Sequence, residues 1–507
     1  MFALTPGAIV AAPVTPQINN PRIAYLGDSI TQFASPAFNV LTGTVYTRDS
    51  SGLVTVTNCP YTSTDLYVGR RGYVVCGSDS FSGEVVITSL LTSSSFTMTY
   101  NVPILTALTL TAGDGGGRLT DWATSKSQGT MQYVHSVFGG GLIFNGNYGV
   151  EGLPASNTGV HLARALAKVP KPDIVILEIG VNDLNFQFSS NAFTPIVLYN
   201  NIIALVNQAI AAGSKVCVIS IEPTASSANS AGRMAAAETV NSMLALYFAV
   251  NPASGVFANT YSVMYDPASS THSVKAGLFN PNDQFHPSGF GSSVKSTVIA
   301  NALSSIAKAT TTPYPVSSTD TATWNGQTLV ANIGPWSNTS TSLATGTASG
   351  PVANGFQVVG NASGAGVSSI VDRSSQSLGF WQQLSFTPSA SGTANIYVKS
   401  DTLAAYGISV GDKIFVGMEV SITNQVAANC IGLQCTITAG DNSFSLSNVS
   451  ALNYCPDSIV NTLYSVSPFT VSAVSAGQFG INLSASFAGS STSALVMRVG
   501  RVFIRKA

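Results

Sequence analysis

Ser29, Asp283 and His286 are the residues of this sequence best suited by type and spacing to nucleophilic chemistry. Ser29 directly follows the apolar run and turn of residues 22–28, and Asp283 stands three positions before His286. Serine is a weak nucleophile until a base takes its proton, and neutral imidazole suits that task near neutral pH. The pattern therefore predicts Ser29 as the nucleophile, His286 as the base and Asp283 as the group that orients the imidazole.

The elements expected around these residues would bring polar turns to one edge of a sheet. Residues 22–27 indicate a buried strand that ends in a tight turn before Ser29, and residues 173–179 form an almost continuous apolar run that ends at the polar turn 180–183. Such runs are typical of parallel strands covered on both faces, whose carboxyl ends meet at one edge. An ordinary strand-to-loop turn is the alternative for the segment before Ser29, because the Gly-Asp-Ser triplet also arises by chance.

Four sequence blocks, taken in order, resemble those of the SGNH, or GDSL, hydrolases. They are Gly27-Asp28-Ser29, Asn147-Tyr148-Gly149-Val150-Glu151-Gly152, Gly180-Val181-Asn182-Asp183 and Asp283-Gln284-Phe285-His286. The resemblance covers residues 20–35 and 120–308. It implies a flavodoxin-like α/β fold, in which a parallel sheet is the middle of three layers, and the activity of a serine esterase.

The resemblance also implies an oxyanion hole. Its donors would be the backbone N–H of Ser29, the backbone N–H of Gly152 and the side-chain amide of Asn182, with Gly149 as the alternative to Gly152. Fixed donors stabilise the negative charge that develops on the carbonyl oxygen, and one such donor contributes about 3 kcal/mol in a well-studied protease. Glycine lets a substrate approach the backbone closely, and a side-chain amide donates without carrying charge.

The other titratable candidates are expected to have structural roles. Asp28 and Asp183 should brace turns rather than react. His135, His161 and His272 have no acidic partner close by in the sequence and are interpreted as structural or exposed. No Cys-x-x-Cys pair and no histidine cluster occurs, so the sequence supports neither a metal site nor a cofactor.

Six cysteines occur, at positions 59, 76, 217, 430, 435 and 455. Cys217 lies in an apolar run and is predicted to be a core residue. Cys59 with Cys76, and the three C-terminal cysteines, could form disulfides, and the sequence leaves their pairing open.

Composition bounds the class of protein. Charged residues make up 8% of the 507 residues, and 21 basic residues less 22 acidic ones give a net charge of −1. Typical soluble domains are about 25% charged. With this small net charge, the chain has no electrostatic field that would attract nucleic acid or an anionic membrane. No apolar run is long enough for membrane insertion. Residues 1–20 lack a basic residue and contain three prolines, which fits a secretion signal poorly.

The chain divides into segments of different character. Residues 36–118 alternate apolar runs with turn residues, and Glu84–Tyr100 predicts a hairpin. Because this insert leaves the fold beside the turn at Ser29, we expect it to overhang the site, with a distant structural decoration as the alternative. The predicted organisation is a lead-in segment (1–20), a catalytic SGNH domain (21–35 and 119–310), the inserted β domain (36–118), a linker (311–319) and a β-sandwich (320–507).

Strands alternate with helices after residue 119, which favours a parallel sheet covered on both sides. The pattern predicts helices near 131–138, 159–168, 195–212 and 232–250, strands over 142–145, up to 180 and over 215–221, an apolar stretch near 256–265, and a last helix after His286.

Residues 320–507 carry few charges and many short apolar–polar alternations, which predicts a jelly-roll-like β-sandwich. By pattern, this part resembles the carbohydrate-binding sandwiches appended to polysaccharide-active enzymes and to bacteriophage tail spikes. Trp324, Trp336 and Trp381 could stack on sugar rings, although burial in a sandwich core is the favoured interpretation for each.

The blocks and the β modules together predict a serine esterase that removes O-acetyl groups from a bacterial surface polysaccharide. The prediction of ester hydrolysis depends on Ser29, His286 and the oxyanion donors. The prediction of a sugar substrate depends on the β modules and on the range of substrates in the family. The low charge and the missing secretion signal favour a virion (phage tail) or extracellular setting. Tail spikes of this kind are usually trimers, so a homotrimer in contact with other virion proteins is the assembly expected there.

Two alternatives stay open. The first is a catalytically silent receptor-binding or structural virion protein on a hydrolase fold. The complete set of Ser29, Gly152, Asn182, Asp283 and His286 argues against it, because decayed sites usually lose a member. The second is a lipase or thioesterase, which would show a strong preference for long acyl chains.

Overall fold

The structure is a computed structural model. It describes residues 16–28, 30–31, 37–39, 45–58, 68, 71–75, 83–92, 94–100, 107–111, 118–121, 130–138, 141–150, 152–187, 193–224, 231–270, 273–275, 277–279, 285–310, 313–324, 326–361, 363–373, 379–425, 427–439, 442–447, 458–465, 469–471, 474 and 479–506.

The first described elements are two strands followed by an antiparallel sheet. Strands β1 and β2 are Ile18–Asn19 and Arg22–Gly27. The sheet has the strand order β3-β10-β6-β7-β8-β5-β4-β9. Its strands are β3 (Ala37–Asn39), β4 (Val45–Arg48), β5 (Leu53–Thr57), β6 (Arg71–Val75), β7 (Gly83–Thr92), β8 (Ser95–Tyr100), β9 (Leu108–Thr111) and β10 (Arg118–Asp121). Because β7 and β8 pair antiparallel, the hairpin predicted over Glu84–Tyr100 is confirmed.

Helices and strands then alternate. In chain order they are α1 (Thr130–Val137), β11 (Ile143–Gly149), α2 (Gly159–Leu166), β12 (Ile174–Glu178), α3 (Pro195–Ala211), β13 (Lys215–Ile219), α4 (Ala231–Val250), β14 (Gly255–Ala258), α5 (Tyr261–Met264), α6 (Gly289–Leu303) and β15 (Ala307–Lys308). Short 3-10 and π-helical turns cover Ala155–Asn157 and Asp183–Gln187.

The predicted alternation is confirmed, although the strand predicted over 215–221 ends at Ile219, the helix predicted over 159–168 ends at Leu166, and β11 is longer than predicted. Strand β11 continues to Gly149, whereas the pattern predicted its end at Asn145. The strand carries polar residues because each finds a partner: Asn145 donates to the carbonyl of Pro170 at 3.1 Å, and Asn147 donates to the carbonyl of Thr31 at 2.8 Å.

Five of these strands form a parallel sheet in the order β11-β2-β12-β13-β14. Alternate side chains of β2 enter different apolar clusters, since neighbouring side chains of a strand point to opposite faces. Leu26 packs in a cluster with Leu205 of α3 and Leu244 of α4, whereas Ile23 packs in another with Ile299 of α6. The sheet is therefore the middle of three layers, as expected for an α/β fold.

The C-terminal part is made of strands apart from a 3-10 turn at Leu403–Tyr406, among the residues described there. The strands are β16 (Thr328–Gly334), β17 (Ser340–Leu343), β18 (Thr345–Gly346), β19 (Ala348–Ser349), β20 (Pro351–Ala353), β21 (Phe356–Gly360), β22 (Gly364–Asp372), β23 (Phe380–Pro388), β24 (Gly392–Asp401), β25 (Lys413–Thr423), β26 (Cys430–Ala439), β27 (Asn442–Ser447), β28 (Ser458–Ser465), β29 (Phe469–Thr470), β30 (Phe479–Phe487) and β31 (Leu495–Lys506).

Two sheets in this part share one apolar core. One has the order β19-β22-β23-β31-β25-β28, with β16 paired to β31 and β29 to β25, and the other has the order β18-β21-β24-β30-β26-β27. Strands β17 and β20 form a separate pair. The shared core joins Phe386 and Met418 of the first sheet to Ile396 and Leu483 of the second. The jelly-roll connection of these strands stays a prediction.

The tryptophans of this part make contacts within the protein. Trp381 is buried, with the guanidinium of Arg373 3.9 Å from its ring centre. Trp336 is half-buried and donates through its indole nitrogen to Asn332 at 2.7 Å. Trp324 is half-buried as well. Burial is confirmed for Trp381, although this side chain is not among the residues of the apolar core that the C-terminal sheets share.

Cys217 lies in the core, as predicted, and burial raises the pKa of its thiol to about 12. Cys430 is also buried, and its thiol donates to the carbonyl of Gly432 at 3.5 Å. Cys59, Cys76 and Cys455 lie outside the described residues, so their pairing stays open. In the part of the chain that the structure describes, no helix is both long enough and apolar enough to cross a membrane.

Candidate active site

The carboxyl ends of three adjacent strands lie side by side. Gly27 at the end of β2 pairs with Gly149 of β11 on one side and with Glu178 of β12 on the other. A Cβ on Gly27 would lie 1.8 Å from the Glu178 carbonyl oxygen, so this close approach requires glycine. The loops after these strands therefore leave the sheet together at its carboxyl edge. Ser29 itself lies outside the described residues, two positions after Gly27.

The chain on both sides of position 29 is held by neighbouring strands. Thr31 donates through Oγ1 to the carbonyl of Glu178 at 3.2 Å and accepts at its own carbonyl from Asn147 at 2.8 Å. Asp28 accepts a bond from the Ile30 backbone N–H at 3.0 Å through Oδ1. This bond across the turn agrees with the expectation that Asp28 braces it.

The structure brings the segments of two predicted oxyanion donors together. The side-chain amide of Asn182 lies 3.4 Å from the carbonyl oxygen of Leu153, the residue after Gly152. The carboxylate of Asp183 accepts a bond from the Ala155 backbone N–H at 2.9 Å. Asn182 and Asp183 are buried, whereas Gly152 is exposed with φ +72°. Gly152 thus offers its backbone to solvent beside a fixed amide.

The alternative donor, Gly149, is engaged within the protein. Its backbone N–H donates to Asn147 Oδ1 at 2.9 Å, and its carboxyl-side neighbour Val150 donates to the Gly27 carbonyl at 3.0 Å. The first bond engages the Gly149 N–H within its own strand, and the second extends β11 along β2. This geometry favours Gly152 over Gly149 as a donor to a ligand.

His286 lies half-buried in the loop before α6. Its ring centre is 5.0 Å from that of Phe285, in an edge-on arrangement. Phe285 packs against the apolar cluster that contains Ile30 and Val181, the residues next to Ser29 and Asn182. The loop of His286 is thereby packed against the same cluster as the two turns, while Asp283 lies outside the described residues.

The helix after this loop has a defined start. Ser288 caps α6 by accepting a bond from the Gly291 N–H at 3.0 Å, and it donates to the Gly277 carbonyl at 2.8 Å. A Cβ on Gly291 would lie 1.8 Å from the Leu278 carbonyl oxygen. The first turn of α6 is therefore packed closely against the segment that precedes the His286 loop.

A buried ionic cluster beneath this edge was not singled out by the sequence pattern. Lys295 of α6 is fully buried and forms ion pairs with Glu178 and with Glu222, the latter at 2.8 Å between Nζ and Oε1. Tyr25 donates its hydroxyl to Glu178. These contacts connect α6 to β2, to β12 and to the segment after β13. The cluster thereby fixes the helix that follows His286 against the strands that precede Ser29 and Asn182.

Burial raises the pKa of several carboxyl groups at this edge. It raises the pKa of Asp28 well above its usual range, and the nearby charge of Glu178 raises it further. Burial likewise raises the pKa of Glu222, although the Lys295 ammonium opposes this shift. It raises the pKa of Asp183 to about 6. One ammonium thus faces more carboxyl groups than it can neutralise, so part of the cluster keeps protons where exposed carboxyls have lost them.

One sequence signal could have revealed the cluster. Glu178 is a charged residue inside an apolar strand that is covered on both faces, and a carboxylate there needs a partner. The pattern did not identify the partners, because Lys295 and Glu222 come from distant parts of the chain.

The remaining histidines contrast with His286. His135 and His161 are buried, and burial lowers the pKa of His135 to about 4. His272 lies outside the described residues. Within the described ranges, no three His, Cys, Asp or Glu side chains converge to hold a metal ion.

No protein-family profile and no curated protein matches the chain. Solved structures that are similar to it include a GDSL-like lipase from Bacteroides thetaiotaomicron, with 21% identity, 35% of this chain and 84% of that chain covered, and a TM-score of 0.27. A mutant acetylxylan esterase from Geobacillus stearothermophilus has 12% identity, 57% and 96% coverage, and a TM-score of 0.30. A peptidoglycan O-acetylesterase has 10% identity, 56% and 91% coverage, and a TM-score of 0.30.

Solved structures of GDSL-type acylhydrolases and acetylesterases are thus among those similar to this chain. At these TM-scores and identities the likeness assigns no function.

Proposed function

We propose that the protein is a serine esterase of the SGNH type that removes O-acetyl groups from a bacterial surface polysaccharide. The observation that carries the proposal is the convergence at one sheet edge. The turn before Ser29, the exposed Gly152 and the buried amide of Asn182 belong to segments that meet there. The His286 loop packs through Phe285 against the apolar cluster that includes Ile30 and Val181.

In this proposal the reaction has two steps. Ser29 Oγ attacks the acetyl carbonyl carbon while His286 takes the serine proton, and Asp283 holds the imidazole in the required tautomer. The oxyanion is stabilised by the backbone N–H groups of Ser29 and Gly152 and by the amide of Asn182. The bond to the sugar oxygen breaks, and this oxygen leaves as a hydroxyl after it takes the proton from His286. Water then attacks the acetyl-enzyme while His286 takes a proton from it. The bond to Ser29 Oγ breaks, Oγ receives that proton, and acetic acid is released and ionises to acetate.

The setting remains a proposal from composition and pattern. The low charge and the C-terminal sheets around one core support a protein that works on polymers outside the cell or on a virion. The homotrimer, the contacts with other virion proteins and the resemblance to tail spikes stay predictions. The segment boundaries, and the expectation that the insert overhangs the site, also stay predictions.

A comparison of wild type with Ser29→Ala on a chromogenic acetyl ester tests the esterase. We expect turnover by wild type and its loss in the variant; equal turnover by both would refute the nucleophile. A set of esters of increasing acyl length distinguishes an acetylesterase from a lipase or thioesterase, since a strong preference for long acyl chains would indicate one of the latter.

The polysaccharide part needs a second measurement. The protein is incubated with acetylated capsular and O-antigen polysaccharides, and their acetyl signals are followed by NMR. Loss of acetyl at unchanged chain length supports a deacetylase, whereas shortened chains would require another activity.

A further inference from the structure

A second pocket opens at the carboxyl end of β14, between α4 and α5. Its volume is about 300 Å³, which is at the lower end of the range for small-ligand sites. Glu238 and Ser242 of α4 form one wall, and Asn259, Tyr261 and Tyr265 form the other. None of the residues assigned to the esterase site lines it.

Both walls are fixed to the segment that follows β13. Asn241 on α4 accepts from the backbone N–H of Ile221 at 2.8 Å and donates to the carbonyl of the same residue at 3.0 Å. On the other wall, the backbone N–H of Tyr261 donates to Ser220 Oγ at 2.7 Å. The pocket is therefore built in advance of any ligand, which reduces the entropy cost of binding.

The pocket lies on the same edge of the sheet as the esterase site. Strand β14 is separated from β12 by β13 alone. Neighbouring strands are about 4.8 Å apart, so the ends of β12 and β14 are separated by roughly 10 Å. A polysaccharide whose acetyl ester lies at Asn182 is long enough to place a neighbouring sugar residue in this pocket.

The polar and aromatic groups suit a ring that carries hydroxyls. The rings of Tyr261 and Tyr265 are stacked, with centres 5.3 Å apart and planes at 18°, and Tyr265 is half-buried at the rim. The Glu238 carboxylate is oriented by the Tyr261 hydroxyl, which donates to it at 2.9 Å. Aromatic faces pack against the C–H face of a ring, while carboxylate and amide groups bind hydroxyls.

The lining also argues against an anionic ligand. The lining residues that the structure describes include Glu238 and no lysine or arginine. A phosphate or carboxylate ligand would lie beside the Glu238 carboxylate, and like charges repel each other. Neutral hydroxylic ligands meet no such cost.

We propose that this pocket is a subsite for one neutral sugar residue of the substrate chain. The inference deepens the proposed function and rests on it for the identity of the chain. The pocket would position a polymer so that an acetylated unit lies at Ser29 and Asn182, a role that a small ester does not need.

Binding is measured first, in the Ser29→Ala background, so that hydrolysis plays no part. The probes are methyl glycosides of glucose, galactose, rhamnose and N-acetylglucosamine, observed by saturation-transfer NMR. We expect signals from at least one glycoside that are lost on adding Tyr265→Ala and weakened by Glu238→Gln. Tyr247→Ala is the matched control, because Tyr247 is a half-buried tyrosine on α4 outside the pocket. Absence of signal for every glycoside, or signals that Tyr265→Ala leaves intact, would overturn the subsite.

Activity is measured second, with Ser29 present. The readout is the ratio of kcat/KM for acetylated polysaccharide to kcat/KM for a small acetyl ester. This ratio should fall tenfold or more in Tyr265→Ala and stay near the wild-type value in Tyr247→Ala; an equal ratio in both refutes the role in polymer binding. If wild type hydrolyses no small ester, the esterase proposal fails, while the NMR result still decides whether the pocket binds sugar.

Discussion

Asp183 accepts a hydrogen bond from the backbone N–H of Ala155 at 2.9 Å. This bond ties the loop that follows Gly152 to the turn that carries Asn182. The two predicted oxyanion donors, which stand thirty positions apart in the sequence, are thus held by a single carboxylate. Because burial raises the pKa of that carboxylate to about 6, the connection depends on pH.

Asp183→Asn should change how stability varies with pH. Between the unfolded pKa near 4 and the folded pKa of about 6, folded Asp183 keeps a proton that the unfolded chain has lost. The contribution of this protonated carboxyl to the free energy of unfolding is therefore present at low pH and is lost as pH rises through this window. Asparagine avoids the cost of ionisation and can still accept from Ala155. We expect the variant to gain up to about 2 kcal/mol relative to wild type at about pH 8 and little at about pH 4, measured by urea unfolding. A difference independent of pH would contradict this account.

Gly152→Ala should separate backbone strain from a role in catalysis. Gly152 has φ +72°, and no heavy atom lies within 4 Å of an added Cβ. Gly407 has φ +69° and the same open surroundings, so it is a matched control. Each alanine variant should lose about 1–2 kcal/mol of unfolding free energy, because L-residues disfavour this conformation. Only Gly152→Ala should also reduce hydrolysis of a small acetyl ester. Equal activity in the two variants would argue against Gly152 as an oxyanion donor.

Asn182→Ala should lower kcat for a small acetyl ester by about 10²–10³-fold, the loss typical of one oxyanion donor. KM should change little, because the amide acts on charge that develops in the transition state. Asn145→Ala is the control: Asn145 is also buried but donates to the Pro170 carbonyl. A rise in KM with unchanged kcat would instead assign Asn182 to substrate binding.

Lys295→Met should destabilise the fold by about 3–5 kcal/mol at neutral pH, because it leaves Glu178 and Glu222 buried without their cation. The loss should shrink as pH falls, because burial raises the pKa of Glu222 and this carboxyl takes a proton. Adding Glu222→Gln should restore part of the stability. Lys308→Met, at an exposed lysine, should have little effect in the same denaturation experiment. Similar losses in both lysine variants would show that the cluster contributes nothing specific.

Much of the α/β part could be predicted from local patterns. Near-continuous apolar runs such as residues 174–178 are buried on both faces, and a strand of that kind requires a parallel sheet with helices on each side. The polar turns after such strands must leave the sheet at one edge, so the neighbourhood of Gly27 and Asn182 also followed from sequence. The end of β11 at Gly149 could not be predicted from the sequence. Asn145 and Asn147 are polar residues that a buried strand accommodates only because each has a hydrogen-bond partner from a distant part of the chain.

The order of the elements, the edge of the sheet that carries the polar turns and the residue types available for chemistry there follow from the amino-acid sequence. These features depend on periodicity and on nearby residues along the chain. Three contacts become visible only in the folded chain: Lys295 pairs with Glu178 and Glu222, Asp183 holds the loop after Gly152, and Tyr261 and Tyr265 stack beside Glu238. Each of these contacts joins residues whose relation is set by packing between elements. Burial then raises the pKa of Glu222 and of Asp183, and no local pattern along the chain encodes that effect.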